Sequence, residues 1–227
     1  MKICIVTSVF PRSLSPARGG VETYVETLAK VLAASGAEVH VLEYQYAFSN
    51  EETPAVPVVL HQVRLRYIPY FSTAFPNLYE AWQVRRALSS LDNQEHFDVI
   101  EGANDEGMMV FVASAFGNRF WMRLHTSLRQ HIVNKQQNFT WRRRFAVWLD
   151  RRSARQAQHL ATHSAIHRAE MASEYGINQQ KIALVPHAVS APPVATRGGE
   201  HQDNCLYWDI GPSKRHRPLL ARRRNSR

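Results

Sequence analysis

The sequence predicts an α/β fold, a Rossmann-like parallel sheet with helices on both faces, and two observations carry that prediction. Short apolar runs rich in β-branched residues, such as "KICIVTSVF" near the start and "FDVIEG" at residues 97–102, alternate along the chain with segments whose apolar residues recur at helical spacing. The runs are apolar without a break, as expected of strands covered on both sides, and strand–helix alternation of this kind builds a parallel sheet.

The elements follow in order. After the first strand comes "SPARGGVETYVETLAKVLAASG", residues 15–36. Val21, Tyr24, Val25, Leu28, Ala29 and Leu32 line one face of a helix. Glu26 and Lys30 are set one turn apart for an ion pair on the other face, and Gly36 stands where a C-terminal cap belongs. "AEVHVLEY" reads as the second strand and "VVLHQVRLRYI" as the third. A helix is expected from Pro76 to Leu91, a strand over residues 97–102, a helix from Met108 to Ala115 and a strand at "RFWMRLH". A longer helix runs from Thr140 to about Gln158, followed by the strand "HLATHS", a helix capped by Ser164, and "KIALVPHAV". Residues 1–190 thus form one domain, and residues 191–204, "APPVATRGGEHQDN", read as a linker because they combine Pro, Gly and polar residues without periodicity.

Composition narrows the function. With 44% apolar residues the chain can build a core, and no run approaches the ~20 apolar residues of a membrane span. The short N-terminal run, followed by Pro11 and Arg12, does not read as a signal peptide. Cys4 and Cys205, far apart, suit a reducing cytoplasm and suggest no disulfide framework. The net charge of +9 is uneven: residues 205–227 carry seven Lys or Arg against Asp209 alone. A basic tail on a body without that bias, and without an interleaved aromatic platform, argues against a nucleic-acid protein.

In open parallel sheets, ligands bind beyond the carboxyl ends of the strands, where strand order reverses. The residues at those ends are Arg18, Gly19, Gly20, Glu101, His125, Thr126, Ser164 and His187. Each also has a purely structural reading: the two glycines shape a turn, His125 is a polar residue at a strand mouth, and Ser164 is a helix cap. The functional reading of the glycine pair is that it lets an anion or a sugar approach the N–H groups and positive dipole end of the first helix with no Cβ in the way.

Several stretches together resemble the N-terminal half of the family 4 glycosyltransferases, retaining enzymes of the two-Rossmann-domain (GT-B) type. They are the glycine pair opening the first helix, "FDVIEGANDEG", "WMRLHTSLR" and "SAIHRAEMASEYGINQQKIALVPHAV". The resemblance implies a nucleotide-sugar donor as substrate, a saccharide or lipid-linked acceptor, a role in cell-surface glycan synthesis, and neither a metal nor a further cofactor. It places His125 beside the transferred sugar as the catalytic-site residue. Arg18, Gly19, Gly20, Glu101, Arg123, Thr126, Ser164 and His187 then count as substrate-binding positions. Family members often read Pro-Asn-Gly-Val-Asp or Pro-Asn-Pro-Val-Asp where this chain has Pro186-His187-Ala188-Val189-Ser190.

Beyond the linker, "CLY" fits the first strand of a second domain, and the match then gives way to basic residues. Two readings stand. One is a disordered basic tail; the favoured one is a shifted reading frame, because Arg215-His216-Arg217 written CGG CAT CGA reads Gly-Ile-Asp one base further on. On either reading the chain by itself is expected to transfer no sugar. The helix from Thr140 leaves a further alternative, a peripheral membrane or binding module at the inner face of the membrane: Trp141, Phe145, Trp148 and Leu149 lie among Arg142, Arg143, Arg144, Arg151, Arg152 and Arg155. Its bland counterpart is that the apolar face packs on the sheet and the arginines are solvated.

Overall fold

The computed structural model describes residues 1–12, 19–48, 54 and 56–187. Arg18, the linker and the segment from 205 onward lie outside the described residues. The β-branched run at the start forms β1 (Lys2–Thr7), and β2 (Glu38–Gln45) and β3 (Val59–Arg64) follow, with α1 (Gly20–Ala34) between the first two. The chain continues through α2 (Pro69–Ala74), α3 (Leu78–Glu95), β4 (Val99–Ala103), α4 (Val110–Phe116) and β5 (Phe120–Arg123). The described part closes with α5 (Leu128–Asn134), α6 (Trp141–Gln156), β6 (His159–Thr162), α7 (Ala165–Tyr175) and β7 (Ile182–Leu184).

Among the described residues, all seven strands pair in parallel in the order β3-β2-β1-β4-β5-β6-β7. The order reverses between β1 and β4, so the connections leaving these two neighbours part to opposite sides and open a crevice at their carboxyl ends. Each face of the sheet carries its own core. On one, Val25 and Ala29 of α1 pack with Ile5, Val39 and Val41. On the other, Cys4, Val6 and Leu42 meet Val84 and Leu88 of α3, Val112 and Phe116 of α4, and Met171 and Tyr175 of α7. The unbroken apolar runs are explained: β1 alternates Ile5 to one core with Cys4 and Val6 to the other. Burial pushes the Cys4 thiol well up, so it is a packing group.

Several boundaries differ from the sequence expectation. The third strand stops at Arg64, before Ile68, because Pro69 opens α2, a six-residue turn of helix with Tyr70 at φ +28°. The helix expected over 76–91 begins at Leu78, behind a left-handed Asn77, and runs on to Glu95. The helix α5 was not expected; Ser127 and Gln130 close a reciprocal capping box at its start. The α6 face divides: Leu149 is buried, but Trp141 and Trp148 are more than half exposed, and the inward stripe is made of Ala146, Leu149, Asp150, Ser153 and Ala154. The aromatic residues of this helix therefore do not all pack on the body of the domain. The Glu26–Lys30 pair, the Ser164 cap on α7 and the Gly36 ending of α1 form as expected.

Candidate functional site

The crevice starts from the loop after β1. Glu43, buried on β2, accepts a hydrogen bond from the Phe10 backbone N–H at 2.9 Å and pairs with Arg12, and the Thr7 hydroxyl donates to Val9 O at 2.9 Å. These bonds fix the chain as it leaves the sheet. Gly19 then caps α1 with φ −131°, ψ 164°, an ordinary extended conformation, and no side chain caps the helix. A Cβ built on Gly19 or on Gly20 meets nothing within 4 Å. Both glycines line a cavity of about 280 Å³. Its wall includes Thr7, Gly19, Gly20, Asn104, His125 and Thr126.

His125 is held from below. Its backbone N–H donates to Asn104 Oδ1 at 2.6 Å, and Asn104 Nδ2 donates to the Tyr175 hydroxyl at 2.7 Å. The ring lies edge-on to Tyr24 at 5.2 Å, and its Nε2 is buried without a partner. Burial, followed by the neighbouring His187 and Arg123, lowers its pKa to about 3, so the imidazole is neutral at physiological pH.

Beside it, α1 is tied to the sheet. The Tyr24 hydroxyl donates to Glu101 Oε1, Arg123 Nε donates to the same oxygen at 3.4 Å, and the guanidinium lies 5.0 Å from the centre of the Tyr24 ring. Arg123 also donates to Val185 O at 2.9 Å, holding the strand end that leads to His187. His187 stacks 4.8 Å from His163 and 5.9 Å from His125, and lies 4.8 Å from Tyr24.

A second cavity, of about 470 Å³, adjoins the first and shares Ser8, Val9, Tyr44 and Asp105 with it. Asp105 accepts a hydrogen bond from the Tyr44 hydroxyl at 2.8 Å. Glu80 Oε1 accepts from Tyr46 and Ser72 at 3.1 and 2.9 Å, while Oε2 has no partner. This wall combines tyrosine rings with carboxylates, the pairing of apolar face and acceptor oxygens that suits a polyhydroxylated ring.

The structure thus gathers Gly19, Gly20, His125 and Thr126 around one cavity and brings Glu101, Arg123 and His187 around Tyr24, whose ring lies edge-on to His125. Ser164 does not line this cavity: its hydroxyl accepts from the His167 backbone N–H at 3.2 Å as the α7 cap. Sequence reading missed Tyr24 as a polar anchor, having placed it only on an apolar face, and missed Asn104, His163 and the Tyr44–Asp105 wall. Asn104 carried a signal, two residues past the strand expected over 97–102 and inside "GANDEG". A cluster of metal-ligand type among the described residues, Glu38, His40 and Glu95, lies at the opposite end of the sheet. The Lys2 ammonium already bridges its carboxylates at 3.3 and 2.7 Å.

Residues 18–191 match the family model of Glycosyltransferase Family 4. The chain belongs to glycosyltransferase family 4. No curated protein matches it. Among solved structures, this family 4 chain is similar to a sucrose-phosphate synthase from Thermosynechococcus elongatus, with a TM-score of 0.55 at 14% identity over 82% of this chain and 48% of that one. It is also similar to Phytolacca americana UGT2, solved with UDP-2fluoro-glucose and pterostilbene, with a TM-score of 0.50 at 11% identity over 82% and 54% of the two chains. At these identities the likeness is one of fold, the Rossmann-like half of a GT-B glycosyltransferase. The family 4 chain spans about half the length of each of these proteins.

Proposed function

We propose that the crevice is the acceptor-side wall of a retaining sugar transfer, from a nucleotide-sugar donor to a saccharide or lipid-linked acceptor, in cell-surface glycan synthesis. The observation that carries this reading is the glycine pair. A Cβ at either position meets nothing within 4 Å, yet the sequence supplies none where the first turn of α1, with its unsatisfied N–H groups, lines a cavity. Those N–H groups and the helix dipole suit a phosphate or a sugar oxygen that must come within hydrogen-bonding distance of the backbone. His125, neutral and with Nε2 unpaired, is placed to accept a hydrogen bond from a sugar hydroxyl. The adjoining Tyr44–Asp105–Glu80 wall offers the acceptor a ring face and hydroxyl-accepting oxygens. Charge on the donor is met by N–H groups and basic side chains, so the reading calls for no metal ion.

The Gly20→Val variant tests it. Because the Cβ meets open space, the melting temperature is expected to stay at the wild-type value. Binding of nucleotide sugars, followed by saturation-transfer NMR across UDP-, GDP- and ADP-linked donors, is expected to weaken by about tenfold or more. Binding equal to wild type takes the glycine loop out of the mechanism.

One observation favours a second reading, that the domain also rests on a membrane surface. Exposed rings at the end of α2 and on α6 are linked through the half-buried Phe145: Phe71 lies 5.4 Å from Phe75, Phe75 lies 5.9 Å from Phe145, and Phe145 lies 5.6 Å from the exposed Trp148. Arg142, Arg144 and Arg152 are exposed beside it. An aromatic strip edged by arginines suits an anionic bilayer. No helix among the described residues is long and apolar enough to cross one. Replacing these three arginines by serine is expected to reduce pelleting with phosphatidylserine vesicles by roughly tenfold or more. Undiminished pelleting, or pelleting as strong with neutral vesicles, rejects the membrane contact.

A further inference from the structure

The cavity of about 470 Å³ is lined by three carboxylates, Glu80 of α3 and Asp105 and Glu106 after β4, and its described lining residues include no Lys, Arg or His. Among the described residues, the side chains that donate to these carboxylates are neutral. Asp105 accepts from the Tyr44 hydroxyl at 2.8 Å, Glu80 from the hydroxyls of Tyr46 and Ser72, and Glu106 from Asn77 Nδ2 at 3.4 Å. Burial, then the neighbouring Asp105, raises the Glu106 carboxyl above the usual range, and the attraction of His131 and Arg143 does not offset it.

Glu80 adds a separate sign. It is 2% exposed, both of its donors go to Oε1, and Oε2 has no partner. A carboxylate so placed draws little stabilisation from bulk water, and leaving it without a counter-charge is costly. A cation held in the cavity that Glu80 lines supplies one at short range.

We propose that this cavity takes an acceptor saccharide carrying a free ammonium group, with Glu80, Asp105 and Glu106 as its counter-charge. The hydrogen-bonding inventory points the same way as the charge. The hydroxyls of Tyr44 and Tyr46 donate to Asp105 and Glu80. Gln45 Nε2 donates to Ser8 O and Glu43, and Asn77 Nδ2 donates to Glu106 O as well as to its carboxylate. The wall therefore presents a ligand with acceptor oxygens, and an ammonium brings three donors and a positive charge to them. Tyrosine rings favour a cation close to their faces as well as the apolar face of a sugar. A bare metal ion fits less well, because the three carboxylates do not place one oxygen each within 4.8 Å of the others. The volume is that of a site enclosing a small organic ligand. This inference rests on reading the cavity as the acceptor's and narrows the acceptor to an amino sugar whose amine is unsubstituted.

The experiment titrates the 227-residue chain with glucosamine, glucose and N-acetylglucosamine at pH 6.5, with backbone amide shifts followed by NMR. Glucosamine is expected to bind about tenfold more tightly than glucose, and N-acetylglucosamine, whose nitrogen carries no charge, no more tightly than glucose. Glu80→Gln and Glu106→Gln are each expected to weaken glucosamine by about fivefold or more while changing glucose less. Glu26→Gln, the same loss of charge on the outer face of α1, is expected to change neither. Glu106 is exposed, so its variant keeps the test sound if Glu80→Gln perturbs folding, which far-UV circular dichroism reports. Glucosamine that does not bind, that binds no better than glucose, or that binds equally well to both cavity variants overturns the proposal. Equal binding of the two sugars defeats the ammonium site and leaves the acceptor reading standing. Charge-dependent glucosamine binding by a chain that binds no nucleotide sugar defeats the transfer reading and leaves the ammonium site standing.

Discussion

Replacing Gly107 by alanine is expected to lower the melting temperature by roughly 10 °C, measured by differential scanning calorimetry. Gly107 follows β4 and has φ +82°, a left-handed conformation that costs a residue with a side chain about 1 kcal/mol. Space compounds this. A Cβ there would lie 2.4 Å from Leu149 Cβ and 3.0 Å from the Asp150 backbone nitrogen, both on α6. No rotamer relieves a clash with a Cβ and a backbone atom, so α6 must move, adding roughly 1–3 kcal/mol of overpacking. Gly36→Ala supplies the control: φ is nearly the same at +83°, but its Cβ would meet nothing within 4 Å, so only the conformational part of about 1 kcal/mol is expected. Equal losses in the two variants would show that contact with α6 contributes nothing.

Removing the Arg123 guanidinium, as Arg123→Leu, is expected to destabilise the domain by about 3 kcal/mol in urea unfolding. Arg123 is 5% exposed and answers three partners at once: Glu101 Oε1, Val185 O and the Tyr24 ring. Its loss leaves a largely buried carboxylate held only by the Tyr24 hydroxyl and frees the strand end that positions His187. The double variant with Glu101→Gln separates the two effects. It removes the stranded charge, so it is expected to recover part of the loss, whereas strictly additive losses would show that the pair is not coupled.

The sheet was legible in the sequence because doubly covered strands must be apolar throughout, α1 because its apolar residues recur at helical spacing, and α6 and α7 because their caps, Thr140 and Ser164, are side chains that sequence displays. Where cues failed, the reasons are local. The helix α2 is too short for periodicity and is opened by a proline. The helix α5 did announce itself, as Ser127 with Gln130 three residues on, a capping box read only as a strand mouth. On α6 the largest apolar residues suggested the buried face, but the inward stripe is small and polar and includes Asp150, whose carboxyl burial raises to about 7. Hydrophobicity alone cannot rank a buried aspartic acid above an exposed tryptophan. The site was legible one strand end at a time. The glycines, Glu101, Arg123 and His125 were each visible, but the imidazole stack was not, because only the strand order brings residues 125, 163 and 187 together.

That strand order also governs how the molecule comes into being. β1 lies between β2 and β4, and its bond from Lys2 N to Asp98 closes a separation of 96 residues. With no hairpin between neighbouring strands, every pairing waits on an intervening crossover, the topology associated with slow folding. On a ribosome, β1 and β2 can pair early, but the second edge of β1 stays unsatisfied until β4 has emerged. An apolar strand edge is then open to the wrong partner for the time it takes to make some fifty residues, several seconds at ordinary rates of synthesis. Yield in the cell should therefore respond to translation speed between β2 and β4 more than to any single contact in the finished fold.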